Sequence, residues 1–259
     1  MIRGLYTSGW SLMANSKKMD VISNNLANAD TNGYKEDIAV LETFPEKLAR
    51  RINDTKSTSN PSAKVGNMRL GSDVSEIFTN YEQGKLQNTG NKLDFAIQDS
   101  KSAFFTIGKP DGNGNIQEYY SRDGAFVINS LNQLVTKDGF YVMGENGPIT
   151  LNGDNFTVNS DGSIVQEGSI VDMLRISEFT DTRSLKKVGS NLVQRDQSTE
   201  ERPFTGTISQ GFLEGSNINV VKEMVEMISV MRSYEANQRL VQAQDSTLEK
   251  VVNQVGSVR

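Results

Sequence analysis

Three features of this sequence predict an α+β fold, an all-β antiparallel middle domain with N- and C-terminal α-helices pairing as a coiled coil. Both chain ends place apolar residues at alternating three- and four-residue steps, the spacing of one helix face. From about Gly84 to Gly211, short strand-like runs alternate with Asp-Gly and Asn-Gly turns. Between the first helix and this region lies a polar stretch nearly free of large apolar groups.

The N-terminal seam runs through Met1, Leu5, Ser8, Leu12, Asn15, Met19, Ile22 and Leu26, with two polar interruptions, and describes a helix that needs a partner. It ends in "ISNNLANADTNGYKE". There Ile22 and Leu26 finish the seam, Asn24, Asn25 and Asn28 are placed to bond neighbouring backbone, and Asn32-Gly33 turns the chain. Next comes "NDTKSTSNPSAKVGN", Asn53 to Asn67, which reads as a loop or as a segment ordered only by outside contacts.

In the middle, turns at Asp123-Gly124, Asp138-Gly139, Asn146-Gly147, Asn152-Gly153 and Asp161-Gly162 punctuate "AFFTI", "AFVI", "FYVM", "PITL", "FTV", "SIV" and "LRISEF". The C-terminal seam passes through Val220, Met224, Met227, Met231, Tyr234, Gln238, Val241, Asp245, Leu248, Val252 and Val255 at a heptad step, with Asn219 as cap and Glu223 in the first turn. Such a helix spans about 37 residues and roughly 55 Å, the length of a coiled coil or bundle. The organisation expected is 1–35 N-terminal helix and turn, 36–83 mobile or extended connecting segment, 84–212 β-rich domain and 213–259 C-terminal helix.

Composition excludes much. There is no cysteine and no histidine, which removes disulfides, Cys/His zinc sites, thiol nucleophiles and Ser-His triads together. With 27 basic and 32 acidic residues the net charge is -5, so nothing favours nucleic acid or an anionic membrane surface as a partner. No run approaches the roughly 18 apolar residues of a membrane span, and no signal-peptide core opens the chain, so export would take another route. At 36% apolar content, an elongated or modular molecule is expected over one compact globule.

Few motifs suggest chemistry. Asp111, Asn113 and Asn115 match the first three ligand positions of a calcium loop, but Ile116 stands where its glycine belongs and Arg122 where its bidentate Glu belongs. Ser184-Leu185-Lys186-Lys187 has the Ser-x-x-Lys spacing of some acyl-transfer enzymes without their companion motifs. No phosphate-binding loop, dinucleotide fingerprint or nucleophile elbow occurs. Paired carboxylates of the glycosidase kind stay open at this stage, since their partners need not be close in sequence. Met224, Met227 and Met231 suit an inter-helix core better than an adaptable docking groove, with Arg232, Glu235 and Arg239 flanking them.

The opening "MIRGLYTSGWSLMANSKKMDVISNNLANADTNGYKE" resembles the N-terminal signature of bacterial flagellar rod and hook axial proteins, in its run Ser23-Asn24-Asn25-Leu26-Ala27-Asn28 followed by Thr31-Asn32-Gly33-Tyr34-Lys35. The resemblance continues through "QGKLQNTGNKLDFAI", "YYSRDGAFVINSLNQLVTKDGFYVMGENGPI" and "QGFLEGSNINVVKEMVEMISVMRSYEANQRLVQAQDSTLEKV", in the family's order. Length and the "EGSNINVVKEMVEMI" start of the last helix are most similar to distal-rod members. Proximal-rod and hook-type subunits are the alternatives. Two departures stand out: "QDSKSAFF" after Ile97 is longer and lacks the usual glycines, and Ser72-Asp73 stand where a glycine is common.

The resemblance implies a structural subunit, not an enzyme, with no cofactor and no metal, exported through the flagellar type III apparatus. It implies a helical homopolymer joined to neighbouring rod and hook proteins, its terminal helices lining the core and its β domain facing outward. The expected subunit-interface residues are Leu5, Leu12, Met19, Ile22, Asn24, Asn25, Leu26 and Asn28 at the first end. At the second they are Met224, Met227, Met231, Tyr234, Val241, Leu248 and Val252. A competing reading is a secreted glycan-binding β module on a helical stalk, although the single tryptophan, Trp10, lies in the N-terminal helix.

Overall fold

The computed structural model describes residues 2–50, 64–111, 116–153, 155–196 and 199–256. It contains two α-helices, α1 (Ile2–Ala27) and α2 (Val220–Gly256), and a largely antiparallel β-rich middle. The chain divides into two compact units. One comprises Met1–Asn24, Asp37–Phe78 and Val221–Arg259, and the other Asn25–Glu36 and Thr79–Val220. The "NADTNGYKE" turn thus folds with the β-rich unit and not with the helix that leads into it.

In the helical unit α1 and α2 lie antiparallel: Ser11 Oγ accepts from Asn237 Nδ2 at 2.9 Å, Asn15 Nδ2 donates to Ser233 Oγ at 3.1 Å, and Lys18 pairs with Glu226 at 2.6 Å. Near the start of α1, Gly4 sits so close to the Gln244 amide that a Cβ would collide with it. These contacts join small and polar positions. Of the expected α2 seam, Met224, Met231 and Val252 are exposed and Met227, Val241 and Leu248 half-buried, while the neighbouring Glu223 and Val230 are buried and Asn237 and Gln244 half-buried. In this arrangement amides and hydroxyls on the two helices satisfy one another.

The connecting segment 36–83 is not merely extended or mobile. It forms strands β1 (Asp37–Thr43), β2 (Lys47–Arg50), β3 (Lys64–Met68) and β4 (Ser72–Thr79), paired as β1 with β4 and β2 with β3. Side chains tie it to α1: Trp10 meets Phe44 edge-on at 4.9 Å, Thr7 Oγ1 donates to the Leu70 carbonyl, and Lys17 pairs with Asp73 at 2.9 Å. The Lys17 hydrogen bond holds the Asp73 carboxyl below its usual range. Asp73, one of the two residues standing where the family commonly has glycine, thus gains a partner. Of the polar stretch 53–67, residues 53–63 lie outside the described residues and Lys64 onward is strand.

The β-rich unit is built around β7 (Ala103–Pro110), which follows β5 (Leu86–Asn88) and β6 (Phe95–Gln98). It pairs antiparallel with β8 (Ile116–Ser121), with Tyr141–Gly144 and with Ile176–Phe179, at the heart of a ten-stranded sheet. Successive side chains of a strand alternate faces. Phe104 therefore joins Tyr81, Tyr120, Phe179 and Val193 on one side, while Phe105 and Ile107 join Phe95, Phe126 and Leu134 on the other. Both faces are covered, which explains why "AFFTI" is buried throughout and apolar at all positions but Thr106.

Of the Gly turns, Gly139, Gly147, Gly153 and Gly162 have positive φ, as Asp-Gly and Asn-Gly turns require. Gly124 is glycine for another reason, since a Cβ there would run into the Phe95 carbonyl. Gly124→Ala should therefore destabilise the β-rich unit by about 3 kcal/mol or more. Gly9→Ala, in open space on α1, should be neutral or raise stability by up to about 1 kcal/mol. Urea unfolding of both variants checks the pair; equal effects would contradict the packing described.

Candidate functional site

The signature turn is held by a buried charge joint. After α1, reverse-turn bonds run from Asn28 N–H to the Asn25 carbonyl and from Thr31 N–H to the Asn28 carbonyl, and Thr31 Oγ1 donates to Asn28 Oδ1. Gly33 then takes φ +68 and donates its N–H to the Glu214 carbonyl at 2.7 Å. A Cβ at this position would meet the backbone of Arg122 and Asp123, so only glycine permits the approach. Lys35 follows, with its ammonium buried.

Lys35 Nζ donates to Glu214 Oε1 and to the Glu82 carbonyl, each at 2.6 Å. Arg122 Nη1 donates to Glu214 Oε2 at 3.0 Å, and its Nη2 donates to the Ser100 carbonyl. The Gly84 N–H completes the carboxylate's set at 2.8 Å. The side chains of Lys35, Arg122 and Glu214 are each no more than 4% exposed. Asn217 extends the joint, accepting from Glu36 N–H and donating to the Asn80 and Glu82 carbonyls. Lys187 donates to the Lys35 carbonyl and lies 3.8 Å from the centre of the Tyr34 ring.

Burial sets the electrostatics. It lowers the Lys35 pKa to about 8, with Glu214 opposing and Arg122 reinforcing the shift. It also pulls Arg122 below its ordinary value, again against Glu214. A second buried carboxylate, Glu178, anchors the longer turn after Ile97: Ser100 Oγ and Arg202 donate to Oε1 at 2.6 Å and Thr205 N–H to Oε2. Desolvation works against its ionisation, yet these hydrogen bonds hold its pKa below the usual value. The serines of "QDSKSAFF" thus anchor this turn through their side chains, and Ser100 also offers its carbonyl to Arg122.

Of the residues expected at a subunit interface, Ile22 and Asn25 are buried within the chain. Leu5, Leu12, Met19, Leu26, Asn28, Met227, Val241 and Leu248 are half-buried, and Asn24, Met224, Met231, Tyr234 and Val252 are exposed. Large apolar side chains gather on the outer face of α2, with Val221, Met224, Val225, Ile228 and Met231 between 47% and 72% exposed, and on α1 at Tyr6 and Met13. The sequence reading missed Lys35, Arg122, Glu214 and Asn217 as a set. Each lies in a motif quoted for the resemblance, but Lys35 and Glu214 are 179 positions apart. The signal available was a charged residue beside tightly packed glycines.

No group of three or more His, Cys, Asp or Glu residues is arranged to hold a metal ion among the described residues. Residues 112–115 of the calcium-like stretch lie outside them. Among the described residues no helix is long and apolar enough to cross a membrane.

Comparison with known proteins identifies the family. Residues 5–35 match the family model of the flagella basal body rod protein, 100–172 that of the flagellar hook protein FlgE/F/G D1 domain, and 209–255 that of the flagellar basal body rod FlgEFG protein C-terminal region. The chain is 35% identical to the flagellar basal-body rod protein FlgG of Buchnera aphidicola subsp. Acyrthosiphon pisum, over 97% of this chain and 99% of the relative. It is 34% identical to FlgG of Bacillus subtilis, over 98% and 99%. The flagellar hook-basal body complex protein FlhO of Bacillus subtilis is 28% identical over the full length of both chains. The chain belongs to the flagellar rod and hook axial protein family, as a structural subunit of the basal-body rod. It is not an enzyme; its family assembles with rod and hook components.

Glu214→Gln should cost the β-rich unit about 3–5 kcal/mol, because it leaves two buried cations facing a neutral amide. Lys35 makes the joint pH-dependent. Below pH 8 the lysine is charged in folded and unfolded chains alike; between about pH 8 and 10.5 the unfolded chain binds more protons. The Lys35 contribution to stability therefore rises with pH across that window. Urea titrations from pH 7 to 10.5 should show this rise in the wild type and lose it in Lys35→Met.

Proposed function

We propose that this chain is a distal-rod-type subunit that polymerises head-to-tail into a helical tube and transmits motor torque to the hook. The observation that carries this reading is the outward apolar face of α2. A polar seam joins α1 and α2 within the chain, and Val221, Met224, Val225, Ile228 and Met231 remain for contact with other subunits. Each such side chain contributes roughly 1.5–3 kcal/mol when buried. Coiled-coil packing between subunits, with the terminal helices on the inside and the β-rich unit outside, resists bending and twisting. Contacts of this heterologous kind propagate without closing into a ring. The full-length likeness to FlgG proteins supports the distal position.

A proximal-rod or hook-type position is the second reading, favoured by the full-length likeness to FlhO and by 30% identity to the rod protein FlgF of Rhizobium meliloti. A glycan-binding module has less support, because Trp10 packs against Phe44 in the helical unit. Export through the flagellar type III apparatus belongs to the same proposal, supported by membership of the family.

Immunogold electron microscopy of isolated hook-basal bodies, with antibody against the β-rich unit, tests the position. Label on the rod close to the hook is expected; label near the base would select the proximal reading, and label confined to the hook or absent would overturn the rod assignment. Met224→Asp and Ile228→Asp should abolish rod assembly while changing the free subunit's stability by no more than about 0.5 kcal/mol. Leu26→Asp and Met227→Asp, at half-buried positions, should lower both. Swimming assays paired with urea unfolding separate the two effects; normal motility in Met224→Asp and Ile228→Asp would remove this face of α2 from the interface.

A further inference from the structure

The sequence carries four Asn-Gly pairs, at 32–33, 113–114, 146–147 and 152–153, of which 113–114 lies outside the described residues. Asparagine is among the thermolabile residues of proteins. Its carboxamide carbon can be attacked by the main-chain nitrogen of the next residue, and glycine hinders that attack least because it has no Cβ. Attack needs a nitrogen able to lose its proton and swing onto the carboxamide, so a nitrogen fixed in a protein hydrogen bond is protected. The described pairs differ on this point.

Gly33 is buried and donates its N–H to the Glu214 carbonyl at 2.7 Å. Gly147 pairs with Gly144 in an antiparallel ladder. The next ladder bond, from the Ile149 N–H to the Val142 carbonyl, sets the alternation so that the Gly147 N–H faces the Gly144 carbonyl. The Asn146 carboxamide is also engaged, since its Nδ2 donates to Asp172 Oδ1 at 3.2 Å. Asn152 and Gly153, in contrast, are both exposed. The Gly153 N–H has no acceptor among the described residues, and a Cβ on this glycine would meet nothing within 4 Å. Just before it the chain is held, because the Asn152 N–H donates to Gln166 Oε1 at 3.1 Å and its carbonyl accepts from Gln166 Nε2. Anchored on one side and open to water on the other, this pair keeps both nucleophile and carboxamide available.

We propose that Asn152 is a self-modifying site, where the chain deamidates without an enzyme. The Gly153 nitrogen forms a bond to Asn152 Cγ, the Cγ–Nδ2 bond breaks, and Nδ2 leaves as ammonia with the proton that Gly153 gives up. A water molecule then opens the resulting succinimide ring, at Cγ to give aspartate or at the main-chain carbonyl carbon to give isoaspartate. Either product adds a carboxylate to a chain whose net charge is already -5. The isoaspartate also inserts a methylene into the main chain between Leu151 and Phe156, both of which are buried. The site lies wholly within the β-rich unit and does not depend on where in the axial structure the subunit stands.

The test is site-resolved mass spectrometry of the full chain held in mildly alkaline buffer, folded and, in parallel, in urea. In the folded chain Asn152 should convert about tenfold or more faster than Asn32 and Asn146, each of which must first break a hydrogen bond. In urea the three should react at similar rates, which would show that the fold and not the flanking sequence sets the difference. Conversion of Asn32 or Asn146 as fast as Asn152 in the folded chain, or an Asn152 that stays intact there, would overturn the proposal. So would a ranking of the three sites that persists unchanged in urea.

Discussion

The carboxylate of Glu214 is the group on which the β-rich unit's arrangement depends. It gathers a lysine from the signature turn, an arginine from the end of β8 and a backbone N–H from the chain leading into β5. Three charges buried to this degree contribute little net stability, because desolvation offsets most of their attraction. They contribute selectivity instead. An apolar trio of the same size would tolerate small displacements, whereas a carboxylate between two cations satisfies its partners in one geometry only. The glycines around the joint act in the same direction: Gly33 and Gly84 each approach a neighbouring backbone too closely for a side chain.

In the helical unit the distribution of side chains runs against the usual pattern of a helix pair. The side-chain hydrogen bonds and the ion pair between α1 and α2 are made by Ser, Asn, Lys and Glu, while Val221, Met224, Val225, Ile228 and Met231 of α2 stay exposed. For an isolated protein that division is unfavourable, since apolar surface stays in water. On the assembly proposed above it is coherent, because the apolar faces of α2 remain for neighbouring subunits. Long helices gain most of their stability from packing rather than propensity, so burial in the proposed assembly would complete them.

The two departures from the family pattern have local physical explanations. Where a glycine is common, Asp73 pairs with Lys17 of α1. Where the turn after Ile97 lacks its glycines, Asp99 adopts φ +63 and the serines bond Glu178. Asp99 also accepts from Thr207 Oγ1, a bond that offsets part of the cost of its left-handed backbone.

Local patterns in the sequence were sufficient for the α+β class, the antiparallel middle, both helices and the turn at Asn32-Gly33, because helix period, strand alternation and Gly turn chemistry act over a few residues. The strands of the connecting segment were not legible: β1 pairs with β4 across some thirty positions, and neither strand has a sharply alternating pattern of its own. Nor was the rotation of α2, since a heptad count cannot tell a row that faces the same chain from a row that faces a neighbour. Sequence alone determined which residues have the character to form a seam, a turn or a charge pair. Only the tertiary structure decided that Lys35, Arg122 and Glu214 meet, because that meeting depends on three distant segments closing around one desolvated carboxylate.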